Sequence, residues 1–492
     1  MKYRLTILAL FFVLKLFASG NPISGVLLDA VSKEPLAYAN IDISGKGRTY
    51  TTDSLGRFVI KNIAPEDTLE FSLLGYETLK MAANQDVSNV FLQPSDMLLD
   101  EVQVLANSLT AKEVVQIAQQ NFIKNLSSGP AKKRLFFHTY EKIPFPEDNQ
   151  INLKRSNFAG MDKKTFLDLY RKLPNEFVEY QNAIVDLYTY NQEAKLVPID
   201  GISLESASEQ KLMKEFGIEL SDFFKDIEET IDNEEVYYKI RTGILSRKFH
   251  GNSEHKAAWE SNKTDTVHIT APTKYVKADI MLLIRDYANI ESKNWEFLNN
   301  PKKYNYTLEL THLNNQQTYK IDFSPKKKGL FEGKMYVSTS DYAILQLDFA
   351  YAQDKQTEKF QMFGVGHSMD FKQARVVFEK DTSGYYVKYI AAREHETASI
   401  ERTISITKNQ KRFLIDKKLS EIKMDLQLTF HADSYWELLV LEKSPIDQQQ
   451  FNNAEQPEAV KYRKELTANP ITRENITDLT PLKDLKKLRQ RK

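Results

Sequence analysis

The chain has 492 residues and no cysteine, which excludes disulfides, thiolate metal sites, cysteine nucleophiles and a lipid-acylated N-terminal cysteine. Lysine plus arginine and aspartate plus glutamate balance at 67 each. Such a chain lacks the basic excess that a nucleic-acid binder carries. With 41% hydrophobic and 11% aromatic residues it can bury sizeable cores, and its length suggests two or three domains.

Met1, Lys2, Tyr3 and Arg4 precede an apolar run from Leu5 to Phe17, broken only by Thr6 and Lys15 and followed by Ala18, Ser19 and Gly20. A basic start, a short apolar stretch and small residues at its end are the pattern of a secretory signal peptide over residues 1–20. The run is short for a membrane helix, which needs about 20 apolar residues. Loss of Lys2, Arg4 and Lys15 with the leader leaves a slightly acidic mature protein. Export to the periplasm or to an outer-membrane-associated position is the expectation.

From residue 21 to Pro94, short apolar and polar alternations separated by turn residues predict a β-sandwich. The expected strands are Ile23 to Leu28, Ala39 to Ser44, Phe58 to Ile60, Thr68 to Leu73 and Val87 to Leu92. Before the third, Asp53 can accept backbone hydrogen bonds in an Asx-type turn and Gly56 can take a positive φ, which sends Phe58 inward. Four stretches carry a family resemblance: Ser24 to Asp29, Glu34 to Ile41, Thr52-Asp53 with Gly56-Arg57-Phe58, and Ser72 to Tyr76. In order and spacing they resemble the carboxypeptidase regulatory-like domain. The resemblance implies a transthyretin-like sandwich that has no zinc site of its own, so Asp53 reads as a turn former and Tyr76 as a packed aromatic. The following Leu98 to Val104 resembles the junction in TonB-dependent transporters of Bacteroidota. The residues that remain are too few for a plug and a 22-stranded barrel.

Thr110 and Glu113 have capping-box spacing, and Val114, Val115, Ile117, Ala118, Phe122 and Leu126 follow on one helical face. This predicts a helix from Leu109 to Leu126 within a linker over residues 95–130, its stripe docked on a neighbouring domain. Residues 131–445 read as a β-rich α+β domain. Helices are expected at Asp162 to Lys172, Ser206 to Phe216, Leu220 to Glu229 and Asp279 to Leu298. Hairpins are expected around Asn314-Asn315, around Ser340-Asp341 and around Asp381 to Gly384. Tyr319 to Pro325, Gly333 to Val337 and Tyr342 to Ile344 are similar to the strand pattern of LolA-like lipoprotein carriers. That resemblance implies a curved antiparallel sheet with helices in its concavity, shaped for an acyl chain or a peptide. Residues 446–492 read as a polar, flexible tail with a basic end. Within it Leu482, Leu485 and Leu488 could form one face of a short helix able to touch anionic lipid.

No catalytic, cofactor-binding or metal-ligating residue is assigned. Gly366-His367-Ser368-Met369-Asp370 is similar to the nucleophile elbow of α/β hydrolases, but Asp370 replaces the last glycine and a strand pattern follows. It reads as a glycine-rich bend between strands. His250, His255 and Glu260 lack the spacing of a zinc helix, and the acidic pairs Glu228-Glu229 and Glu234-Glu235 read as solvated ends. The sequence therefore points to a mainly β, exported envelope protein without a cofactor, in which the sandwich is coupled to a domain that binds a hydrophobic ligand or a protein partner. An adaptor of an outer-membrane transporter and an envelope hydrolase are the alternatives.

Overall fold

The computed structural model describes residues 23–36, 39–43, 48–53, 55–60, 67–73, 76–94, 109–127, 129–145, 149–158, 160–172, 174–206, 235–242, 245–249, 267–314, 316–353, 355–413 and 415–489. The predicted leader, the predicted helices over 206–216 (except Ser206, which ends a strand) and 220–229, the histidines at 250 and 255 and Glu260 lie outside them. So do Glu228, Glu229 and Glu234.

Among the described residues the N-terminal unit is a sandwich of seven strands. Strands β1 (Ile23–Asp29), β4 (Arg57–Ile60) and β7 (Asn89–Leu92) form one sheet in the order β4-β1-β7. Strands β2 (Asn40–Ile43), β3 (Arg48–Thr51), β5 (Thr68–Ser72) and β6 (Leu79–Ala82) form the other, in the order β3-β2-β5-β6. The alternation read from the sequence delivers Leu27, Ile41, Ile60, Leu69, Phe71 and Leu92 to the core, each fully buried. Phe58 meets Phe71 edge to face at 5.5 Å. The Asx turn forms as expected, with Asp53 Oδ1 accepting from the amides of Leu55 and Arg57 at 2.8 Å each, and Gly56 has φ +69°. Tyr76 does more than pack, because its hydroxyl donates to Asp29 Oδ2 at 2.6 Å. The two short strands β3 and β6 were not legible as strands.

Gly25 of β1 sits where a Cβ would lie 1.9 Å from the carbonyl oxygen of Val87 and 2.7 Å from the Phe58 ring. Backbone cannot yield as a flexible side chain does, so Gly25→Ala should destabilise the sandwich by about 3 kcal/mol. A urea titration of the protein checks this. An unchanged midpoint would mean that β1 and the Val87 segment are not packed as described.

Among the described residues the second unit is built on one sheet of sixteen strands. Its N-terminal members are β8 (Ala131–Pro144), β9 (Gln150–Ser156), β10 (Glu176–Tyr190), β11 (Glu193–Ser206), β12 (Val236–Thr242), β13 (Leu245–Phe249) and β14 (His268–Pro272). The predicted meander supplies β15 (Tyr304–Leu313), β16 (Gln316–Pro325), β17 (Phe331–Ser338), β18 (Ile344–Tyr351), β19 (Thr357–Met362), β20 (Val365–Asp381) and β21 (Gly384–Gln410). Strands β22 (Lys417–Pro445) and β23 (Ala459–Thr467) complete it. The path runs β14-β23-β11-β10-β8-β22-β21-β20-β18-β17-β16-β15, so late strands pair with early ones and the sheet closes only when the chain is complete.

Helices cover one face. Helix α1 (Ala111–Asn125) begins with the predicted capping box. It is no linker element: Val114, Val115, Ala118 and Phe122 are buried in the main core of the large sheet. Away from that face lies α2 (Lys163–Arg171), within the predicted Asp162 to Lys172. The single helix expected from Asp279 to Leu298 is instead three pieces: α3 (Thr273–Tyr287), a 3-10 turn (Lys293–Trp295) and α4 (Glu296–Asn299). The break arises because Ser292 caps a new turn through Asn294 N and donates its own hydroxyl to Asp286 O. Trp295, Phe297 and Leu298 are fully buried, Phe297 stacked on Phe323 at 4.2 Å. Side chains of α1, α3 and the 293–299 segment thus fill the sheet face that the carrier resemblance would leave for an acyl chain.

The tail expectation fails. Helix α5 (Gln448–Asn453) is capped by Asp447, and β23 is an interior strand between β11 and β14. Residues 468–489 then cross the opposite face of the sheet to end in α6 (Leu482–Arg489). Leu485 and Leu488, the leucines that would have entered lipid, are buried against Phe136, Val377, Tyr389 and Leu439. The polar composition reads as disorder because β23 and this segment bury only a few side chains each and satisfy their polar groups on the sheet.

Candidate functional site

Period-two alternation places Tyr389, Ala391 and Arg393 of β21 on the face away from the helices, with Tyr435 and Glu437 of β22 and His138 of β8 beside them. Tyr389 and Glu437 are fully buried and hydrogen-bonded to each other. Arg489 of α6 closes on Glu437 in a two-point ion pair, Nε to Oε1 at 2.8 Å and Nη2 to Oε2 at 2.5 Å. Arg375 returns the contact: it donates to the carbonyls of Leu488 and Arg489 at 3.1 and 2.6 Å while paired with Asp348. A cation at the last carbonyls of a helix also suits its dipole. Tyr180 donates to Asn475 O at 2.6 Å and Asn182 to Thr477 Oγ1 at 2.8 Å, and His138 Nδ1 donates to Asn182 Oδ1 at 2.8 Å. The C-terminal segment is strapped down by charge and hydrogen bonds along its whole length.

The sandwich meets this same face. Arg393, 4% exposed, binds Asp433 with Nε and Nη2 at 2.9 and 3.0 Å, and Nη2 also reaches Asn40 Oδ1 of β2 at 2.6 Å. Between the two units lies a cleft of about 740 Å³. Its sandwich wall carries Asp42 and Glu70; its opposite wall carries Arg375, Arg393, Arg473 and Arg489 with Tyr389 and Tyr435. Each arginine has a carboxylate partner. Arg473 is bound to Glu474 through Nε alone among the described residues, and its guanidinium lies over the Tyr435 ring at 5.6 Å.

Burial dominates the protonation of this region. It would raise the Asp433 carboxyl, but the Arg393 guanidinium overcomes it and holds the group well below the usual range. Burial drives His395 down to about 4, against the pull of Asp433, and lowers His138 as well. Burial likewise raises the phenols of Tyr389 and Tyr435 far above their ordinary values. Both histidines are held neutral, and neither tyrosine ionises at neutral pH.

No residue of this cleft was singled out from sequence. The hydrolase-like stretch lies elsewhere, inside β20 rather than at a bend or a strand-to-helix turn. Ser368 Oγ donates to Asp370 Oδ1 at 2.6 Å, and Asp370 is the extra residue of a β-bulge against β21. His367, its neighbour in the strand, instead approaches Glu396 at 3.5 Å. A serine bonded to a carboxylate, without an imidazole to take its proton, is not arranged as a nucleophile. Among the described residues no group of three or more His, Asp or Glu is placed to hold a metal ion, and no helix is long and apolar enough to cross a membrane.

Comparison with known proteins bears on the N-terminal unit. No curated protein matches the chain. A solved structure from Bacteroides fragilis, given as a candidate membrane-associated protein of unknown function, aligns over 84% of this chain and 97% of its own at 10% identity, with a TM-score of 0.13. Similarity that slight carries no argument. The family model of the CarboxypepD_reg-like domain matches residues 23–104, the span that holds the sandwich and its Asp29–Tyr76 bond. Residues 23–104 are thus similar to a carboxypeptidase regulatory-like domain.

Proposed function

We propose that this is an exported, non-catalytic binding protein of the cell envelope, in which the regulatory-like sandwich closes a cleft bearing charged side chains over the large sheet. The observation that carries the reading is the cleft itself: an acidic wall from Asp42 and Glu70 faces four arginines across about 740 Å³. Opposed charges across such a cleft suit a small ligand bearing an anionic group and a cationic or hydrogen-bond-donating group, such as a short peptide or an amino-sugar acid. The packed helical face supports this cleft over an acyl-chain site. Fixed, already paired arginines are pre-organised and lose little entropy when a ligand arrives.

Native mass spectrometry of protein purified gently from its own envelope tests the proposal. The wild type should retain a polar small molecule that Arg473→Gln loses, since that guanidinium keeps its terminal nitrogens for a further acceptor. A wild type that is empty, or a variant that retains the same molecule to the same extent, would overturn it. Conversion of the retained molecule to lighter products would put the hydrolase in its place.

A further inference from the structure

Beyond Ile400 and Leu428 the hairpin β21–β22 leaves the body of the sheet and continues as an arm, flanked by β12 on one side and β9 on the other. About ten residues per strand at ~3.3 Å each carry its end roughly 35 Å outward. The arm has its own small core, in which Leu153, Phe158, Phe166, Tyr238 and Ile422 pack together. Its end is a short connection between Gln410 and Lys417 in which Phe413 is 100% exposed and Ile415 83% exposed. These are the two most exposed large apolar side chains among the described residues.

The connection is held in shape. Asp416 accepts from the Tyr237 hydroxyl at 2.6 Å and from the Arg412 amide at 3.3 Å, and the Lys411 amide donates to Glu235 O at 2.7 Å. Phe413 and Ile415 therefore project from a pinned turn. Lys411, Arg412, Lys417 and Lys418 surround them, all exposed. Lys418 pairs with Glu421, whereas the other three have no ion pair among the described residues. Apolar side chains at an extremity within a ring of basic ones match the interface of an anionic bilayer, where rings enter the acyl boundary and ammonium groups stay at the phosphates.

We infer that the tip of the β21–β22 arm is a membrane-docking element, inserting Phe413 and Ile415 into the surface of an anionic bilayer with Lys411, Arg412 and Lys417 at the headgroups. The docking is independent of the cleft and of any ligand there. It replaces the C-terminal helix as the lipid-contacting part, since the leucines of that helix are buried.

Flotation of the mature full-length chain with vesicles tests it, using phosphatidylcholine alone and phosphatidylcholine with 30% phosphatidylglycerol. Binding should require the anionic lipid, fall with added salt, and drop at least about tenfold in Lys411→Glu/Arg412→Glu and in Phe413→Ser/Ile415→Ser. The substituted side chains are exposed, so melting curves should coincide with the wild type. A Phe413→Trp variant adds a direct reading: its emission should shift to shorter wavelength with anionic vesicles only. Absence of binding, binding unaltered in either double variant, or an unshifted tryptophan would each overturn the assignment. So would a tip that causes self-association lost in Phe413→Ser/Ile415→Ser, which would make it a protein contact.

Discussion

Glu437→Ala should release the C-terminal segment from the sheet. Glu437 is fully buried and is the common partner of the Tyr389 hydroxyl and the Arg489 guanidinium. Removing it leaves a buried phenol and a largely buried cation without their acceptor. Breaking such a pair costs about 3 to 5 kcal/mol, and the lower figure applies because Arg489 keeps 36% of its side chain accessible to solvent. The loss should appear first as local opening of residues 468–489, so tryptic cleavage at Lys483, Lys486 and Lys487 should accelerate by about a hundredfold before the sheet unfolds. Glu437→Gln, which keeps an acceptor for both partners, should lose roughly half as much. Unchanged protease resistance in Glu437→Ala would show that Leu485 and Leu488 alone hold the helix.

Acid should weaken the protein in two stages. His395 is ordinarily protonated near pH 6.5 and in the fold only near 4, because burial beside Phe371 disfavours its charged form. Its contribution is therefore complete above pH 6.5 and is lost as pH falls from 6.5 to about 4. At 1.36 kcal/mol per unit this amounts to roughly 3 kcal/mol. His138, lowered by burial too, adds in the same direction. A second decline follows below the ordinary carboxylate range. Asp381, held to about 2 by Lys443 and Ser383 against burial, loses its advantage only there. The same holds for Glu421, brought to about 2 by Lys418, Ser405 and Arg155. Urea titrations between pH 7 and 3 read both stages. In His395→Gln the slope between pH 6.5 and 4 should flatten; an identical slope would place the acid sensitivity elsewhere. Because His395 and Asp433 lie beneath the Arg393–Asn40 contact, the first stage should also loosen the sandwich from the sheet.

The meander from Tyr304 to Ile390 was readable because its strands alternate and its turns carry Asn314, Asp341 and Gly384. The central strands β8, β10 and β11 were not. Leu135-Phe136-Phe137, Ala183 and Val185 are buried and Ile184 half-buried, with the helices over one face and the C-terminal segment over the other, so the period that marks a half-exposed strand is erased. Strand β23 is hidden differently, by its polar composition and by pairing that links Ile202 of β11 and His268 of β14 to the distant Arg463.

Sequence by itself determined the regulatory-like sandwich, the absence of thiol chemistry, the capped helix α1 and the hairpins of the meander, because each is written in contacts between near neighbours. Only the tertiary structure decided the rest. The cleft, the strap over Glu437 and the projection of Phe413 depend on how separate segments of the chain are brought together, and no local pattern records which arginine will meet which carboxylate or which phenylalanine will be left outside.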